Sequence, residues 1–190
     1  MKKESKALKN FLNQIEIING HNSNTKSSYK MALNKFSDLT QEEFVSQYMG
    51  LKRDQKSVFS EKNLTDKFSS PIDVSSLPTF VDWRLKGLVT PVKDQGQCGS
   101  CWIFSAVGAL EGAQAKQSGH LVKLSEQEML DCSIYGQKCN GGNVWNIYDY
   151  LDTCMCGIDT EASYTPYMAQ VKLKYFLNIL LCDFFLFSFP

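Results

Sequence analysis

The predicted fold class is α+β, with a helical leading segment and a compact, mainly helical second part. Three observations predict its helical parts and the division between them. Residues 1–51 are highly charged, lack cysteine and carry apolar residues at helical spacing. The run CWIFSAVGAL (101–110) is apolar on nearly every face, which suits a helix at the centre of a domain. All seven cysteines fall in the second half, at 98, 101, 132, 139, 154, 156 and 182.

The elements follow in chain order. Leu8, Phe11, Leu12, Ile15 and Ile18 share a helical face, and the helix is expected to end near Gly20. The stretch MALNKFSDL (31–39) alternates and predicts a short strand. Thr40-Gln-Glu-Glu43 is a capping box that opens a second helix, closing at Gly50. Residues 52–76 are rich in Lys, Asp and Ser and read as an exposed linker; Asn63-Leu64-Thr65 within it is a glycosylation sequon. From Leu77 onward Gly, Pro, Trp and Cys appear. Ser100 is placed to cap a helix from Cys101 to about Ser118, with Gly119 as its stop. Ser125-Glu-Gln-Glu128 is another capping box, leading toward Cys132. Val144, Ile147, Tyr148 and Leu151 mark a further helix. There is no internal repeat.

Bulk properties narrow the function. A chain of 190 residues holds one large domain or two small ones, and 43% apolar residues suffice for a core. The formal net charge is zero, so there is no electrostatic basis for binding nucleic acid or an anionic membrane surface. The cysteine pattern points to an oxidising compartment. Zinc is the competing reading, through C-x-x-C at 98–101 and C-x-C at 154–156. It strands Cys132 and Cys139 and finds no histidine at a zinc spacing, so neither metal nor cofactor is expected. No signal peptide is visible: MKKESKALKN runs straight into an amphipathic pattern. Set against the cysteines, this suggests an incomplete N-terminus. The final VKLKYFLNILLCDFFLFSFP (171–190) differs in texture. Its apolar run from Tyr175 is sixteen residues long and is broken by Asn178 and Asp183, short of the roughly 20 residues a membrane span needs. Membrane anchorage is not expected, and its A/T-rich codons suggest translated intron or out-of-frame sequence.

The chemistry concentrates in DQGQCGSCW (94–102). A thiolate is the reactive form of cysteine. As the first residue of a buried helix, Cys101 sits where the helix dipole and backbone N–H groups favour an anion. Gln95 is close enough for its side-chain amide to share an oxyanion with the Cys101 N–H. Gly96 and Gly99 clear space where the loop bends and a substrate backbone approaches. Two blander readings stand beside this one. Cys98 and Cys101 form a redox dithiol, though no preceding strand supports a thioredoxin pattern; or Cys101 is a buried, inert core residue.

The segment Gln95-Gly-Gln-Cys98-Gly-Ser-Cys101-Trp102 resembles the active-site segment of the papain and cathepsin L family of cysteine peptidases. LPTFVDWRLKGLVTPVKD before it resembles the start of their mature domain. LSEQEMLDC, CNGGN (139–143) and GIDTEASYTPY (157–167) resemble three later motifs. Phe11, Ile18 and Asn22 fit the second half of the family's ERFNIN propeptide helix, with Gln14 in place of its Asn. ALNKFSD (32–38) resembles the GxNxFxD element, with Ala32 in place of Gly.

The resemblance implies a zymogen. A propeptide inhibitor domain would span 1–51, a linker 52–76, the N-terminal, mainly helical part of a papain-like peptidase domain 77–170, and an unrelated apolar tail 171–190. It implies Cys101 as nucleophile, Gln95 as oxyanion donor and a Cys98–Cys139 disulfide. Gly99, Trp102, Gly141, Gly142 and Val144 would bind substrate, with Val144 on the wall of the pocket for the second residue before the scissile bond. The partners implied are peptide and protein substrates and the chain's own propeptide, and the location is lysosomal or extracellular. The chain departs from the family in several places. The expected base is a histidine about 130–150 residues after the nucleophile, followed by an asparagine, and both fall past residue 190. His21 lies in the prosegment and His120 in a loop. The β-rich second half is likewise missing, so these 190 residues are expected to be inactive by themselves. Cys132 should pair shortly after the TPY segment, Cys154 and Cys156 occupy a stretch that usually has no cysteine, and Thr165 is an insertion. The alternative function is an inhibitor or decoy of related peptidases.

Overall fold

In a computed structural model, the described residues are 2–52 and 74–172. They form two compact units, divided between Met49 and Gly50. Residues 53–73 of the linker, with the sequon, and 173–190 of the apolar tail, with Cys182, lie outside the described residues.

In the first unit, α1 spans Lys2–Ser23 and α2 Gln41–Tyr48. Helix α1 passes through Gly20 instead of stopping there. A helical glycine costs only about 1 kcal/mol, and Ser23 Oγ closes the last turn onto the Asn19 and Gly20 carbonyls. The inward residues include Phe11, Ile15 and Ile18, whereas Leu8 and Leu12 are exposed. Asn22 makes a two-way bridge to Met31, donating to its carbonyl at 2.8 Å and accepting from its N–H at 2.8 Å.

The strand expected over 31–39 does not form. Residues 35–38 are a turn. Asn34 Oδ1 accepts from the Phe36 N–H at 2.9 Å, and Ser37 Oγ accepts from the Asn34 N–H at 2.9 Å. These side chains offer the backbone a local alternative to a ladder. The turn brings Phe36 onto Phe44 and Tyr48 of α2, at centroid distances of 5.2 and 4.9 Å. The Thr40–Glu43 capping box closes in both directions. Met49, not Gly50, caps the end of α2.

The second unit is built on α3, Cys101–Ser118, which ends at a left-handed Gly119. Trp102, Ile103, Ala106 and Val107 of α3 are buried against α4 (Glu126–Cys132) and α5 (Val144–Cys154) through Met129, Leu130, Ile147 and Tyr150. This is the all-round burial that CWIFSAVGAL demands. Three carboxylates, Glu111, Glu126 and Asp131, are also buried. Glu111 is 1% exposed and is satisfied by Lys93 at 2.7 Å, Thr90 at 2.7 Å and the Leu124 N–H at 2.9 Å. Lys93 also pairs with Glu126 at 2.5 Å. Burial alone would push Lys93 down, but hydrogen bonds to the two carboxylates outweigh it and its pKa is raised. The Ser125 cap forms, while Glu128 turns away from the box and accepts from the Asp159 N–H at 2.7 Å. Among the described residues no β-strand forms, only isolated bridges at Leu51–Gly142 and Leu124–Thr160. No helix among them is long and apolar enough to cross a membrane.

Candidate active site

Cys101 is the first residue of α3, half-buried, and the free thiol among the described residues. The chain leading to it is fixed at several points. Cys98 is disulfide-bonded to Cys139 with a Cα–Cα distance of 4.6 Å. The Gly99 N–H donates to the Cys139 carbonyl at 2.8 Å. A side chain on Gly99 would stand 2.5 Å from that same carbonyl, so only glycine lets the two strands of the loop approach. The Gln95 amide donates to the Cys98 carbonyl at 2.9 Å, which holds its side chain against the turn before Cys101.

Ser100 precedes α3, but its hydroxyl makes no cap to the helix. It bonds instead to the Tyr167 hydroxyl at 2.6 Å. Tyr167 in turn donates to the Gln95 carbonyl at 2.9 Å. Sequence reasoning missed this link, because neither TPY nor GSC indicates that a phenol reaches back across some seventy residues of chain.

Trp102 is 1% exposed, and its Nε1 donates to the Lys138 carbonyl at 3.2 Å. Gly142 lies flat on the indole: a Cβ there would meet the ring at 2.6 Å. The indole, expected as a substrate contact, is itself buried, with Gly136 and Gly142 against its ring. Val144 opens α5 and packs on the core.

Whereas the Gly141 N–H and carbonyl are bonded to Lys138 and Gln137, Gly142 forms a rail that is already occupied. Residues 50–52 lie along it in the parallel sense. The Gly142 N–H donates to the Gly50 carbonyl and the Lys52 N–H donates to the Gly142 carbonyl, each at 2.8 Å. Asn143 Nδ2 adds a bond to the Lys52 carbonyl at 3.3 Å. Gly50 has an ordinary negative φ, so it is not glycine for the sake of a helix cap. A Cβ on it would overlap the Gly99 carbonyl oxygen at 2.0 Å.

The two histidines stand elsewhere. His21 bonds to Ser27 and to the Tyr29 carbonyl in the first unit. His120 is exposed beyond the C-terminus of α3, roughly 27 Å from its start at 1.5 Å per residue. Cys154 and Cys156, whose pairing the sequence left open, are bonded to each other.

The profile of the papain family of cysteine proteases matches residues 77–179, and that of the cathepsin propeptide inhibitor domain matches residues 2–44. Human cathepsin L2 is 48% identical over 160 residues, covering 83% of this chain and 45% of the relative. A cathepsin L-like peptidase of Aedes aegypti is 49% identical over 151 residues, covering 76% of this chain and 43% of the relative. Among solved structures, the digestive procathepsin L2 proteinase of Tenebrio molitor larval midgut superposes with a TM-score of 0.73 at 30% identity, over 90% of this chain and 56% of that one. The chain thus spans about half the length of the curated relatives it matches. Its fold is papain-like and its leading segment is of the propeptide class: the chain belongs to the papain family of cysteine proteases.

Proposed function

We propose that the full-length protein is a cathepsin L-like cysteine endopeptidase made as a zymogen. The observation that carries this reading is the free thiol opening α3, with the chain's own residues 50–52 hydrogen-bonded along the adjacent Gly142 rail. In this reading the Cys101 thiolate attacks a peptide carbonyl carbon. Charge on the carbonyl oxygen meets the Cys101 N–H and the Gln95 amide. The C–N bond breaks, the amine leaves with a proton, and water hydrolyses the thioester. Gly142 pairs with the substrate backbone by strand addition, with Gly141 beside it lining the cleft. Gly99 leaves room beside the scissile bond, and Val144 walls the pocket for an apolar side chain two residues before it. The strap at 50–52 follows the same rail in the parallel sense, taken here as the reverse of the substrate's direction, so it occupies the site without being cut.

The base is a histidine that the family supplies farther along the chain. In this reading residues 1–190 alone do not turn over peptide. The disulfides favour secretion or a lysosomal location. The test is hydrolysis of a peptidyl-aminocoumarin by the protein expressed with its downstream coding sequence. Activity that Cys101→Ser abolishes is expected. Activity that survives the substitution, or none at all after the prosegment is removed, overturns the proposal.

A second reading draws on the propeptide-domain match at 2–44 and the compactness of the first unit. Residues 1–76 then inhibit related peptidases in trans. Slowing of a cathepsin L-like peptidase at micromolar concentration supports it, and full activity there rejects it.

A further inference from the structure

Tyr167 ties together the two segments that carry the proposed chemistry. Its phenol has one proton to give. That proton goes to the Gln95 carbonyl at 2.9 Å, so across the 2.6 Å contact Ser100 is the donor and Tyr167 the acceptor. The result is a directed chain, from the Ser100 hydroxyl through the Tyr167 hydroxyl to the Gln95 carbonyl, in which each bond polarises the next. Ser100 is fully buried, and the Tyr167 ring is held edge-on to Phe104 of α3 at 4.8 Å and 83°. Burial raises the phenol's pKa, so it stays a donor. One end of the chain is the residue before the nucleophile; the other is the backbone of the residue whose amide is assigned to the oxyanion.

We propose that Tyr167 is a positioning residue, whose hydroxyl sets the spacing between the Gln95 amide and the Cys101 thiol by bridging Gln95 and Ser100. The inference rests on the nucleophile and oxyanion-donor roles proposed above. It differs from simple loop stabilisation because the bridge acts on the donor's backbone. Its loss should therefore weaken states that place an oxygen against Gln95 and spare those that do not.

The experiment uses the full chain with its disulfides intact and two probes of Cys101. Iodomethane alkylates the thiol, with iodide leaving and the thiol proton lost to solvent, and carries no oxygen to present to the donor. Acetyl-phenylalanyl-glycinal adds the thiol across its carbonyl: the Sγ–C bond forms, the C=O π bond opens, and the thiol proton passes to the oxygen that faces Gln95. The aldehyde concentration that half-protects Cys101 from alkylation gives its affinity. The strap at 50–52 lowers that affinity in every variant alike, so only ratios between variants are read.

Tyr167→Phe keeps the ring and is expected to weaken the aldehyde about tenfold, the scale of one well-placed hydrogen bond, while the alkylation rate stays within about twofold. Ser100→Ala, which cuts the other end of the bridge, should show the same selective loss. With Gln95→Ala in the background, Tyr167→Phe should add nothing, because the two act as one unit. Additive losses, equal losses with both probes, or an unchanged aldehyde affinity overturn the positioning role while the nucleophile assignment stands. An aldehyde that fails to protect wild-type Cys101 overturns that assignment, and the inference with it.

Discussion

The two units keep their shape by different means. In the first, Ile18 is the one described apolar residue counted as buried, at 9%. Its form comes from polar side chains closing on nearby backbone: Asn22 on Met31, Asn34 with Ser37, Thr40 with Glu43. An aromatic trio, Phe36, Phe44 and Tyr48, adds to this. In the second unit a central helix is enclosed by two others, and four residues in its first two turns are at most 1% exposed. Burial stabilises in proportion to apolar area, whereas a local hydrogen bond contributes about 1 kcal/mol net. The contrast suits the proposed zymogen. The part that must come away is held by many small local terms, and the part that must hold a thiol in place is held by a packed core.

The largest expected effect tests the core side of this contrast. Ile103→Ala removes a fully buried side chain from the first turn of α3 and should cost about 2–5 kcal/mol. All three tryptophans, Trp83, Trp102 and Trp145, belong to the second unit, so urea unfolding followed by tryptophan fluorescence reads that unit selectively. A loss below about 1 kcal/mol would mean that the core is not what holds α3.

A second test concerns pH. Burial of the Glu128 carboxyl raises its pKa from 4.5 to about 7; the Asp159 N–H opposes this and the Asp159 charge adds to it. A folded value above the unfolded one means that the fold binds this proton more tightly than the open chain does. The group's contribution is therefore complete below about 4.5 and lost as pH rises toward 7, a span on the order of 3 kcal/mol. Glu128→Gln keeps an acceptor for Asp159 and should flatten the decline in stability between pH 4.5 and 7. An unchanged slope would assign that decline to other buried carboxyls such as Asp131, whose pKa is also raised by burial.

These cases also show what the sequence made legible. The helix Cys101–Ser118 was readable because an apolar run and a glycine stop agree, although the expected Ser100 cap does not form. The Thr40 box was readable because both partners lie within four residues. The strand at 31–39 failed because alternation is a weak signal where Asn34 and Ser37 can capture the backbone themselves. Gly50 was read as a helix stop, although its reason lies forty-nine residues on, at the Gly99 carbonyl. Tyr167 was visible only as part of a motif, since its partners are set by tertiary folding.

The strap gives a smaller effect. Gly50→Ala places a methyl where the Gly99 carbonyl stands and should lift residues 50–52 off the rail without touching the core. Hydrogen exchange of the Gly142 and Lys52 amides, the two donors in that bridge, should quicken about tenfold, the scale of about one net hydrogen bond. Unchanged exchange at both would show that the strap has room to shift, and that glycine at position 50 is not what admits it to the rail.

The smallest effect lies where the chain departs from its family's pattern. Thr165 interrupts what would otherwise be a tyrosine-proline-tyrosine run, and its Oγ1 is buried with no hydrogen-bond partner among the described residues. An unsatisfied buried hydroxyl carries its desolvation cost without return, whereas an apolar group of the same shape does not. Valine keeps the β-branch and its preferred rotamer, so Thr165→Val should stabilise the second unit by about 1 kcal/mol in the same urea titration. It should also leave the Tyr167 bridge intact, because Tyr167 reaches Gln95 and Ser100 through its own side chain. A gain in stability with unchanged aldehyde affinity at Cys101 would mark the insertion as a tolerated fault beside the site. A loss of both would mean that position 165 helps to aim the phenol.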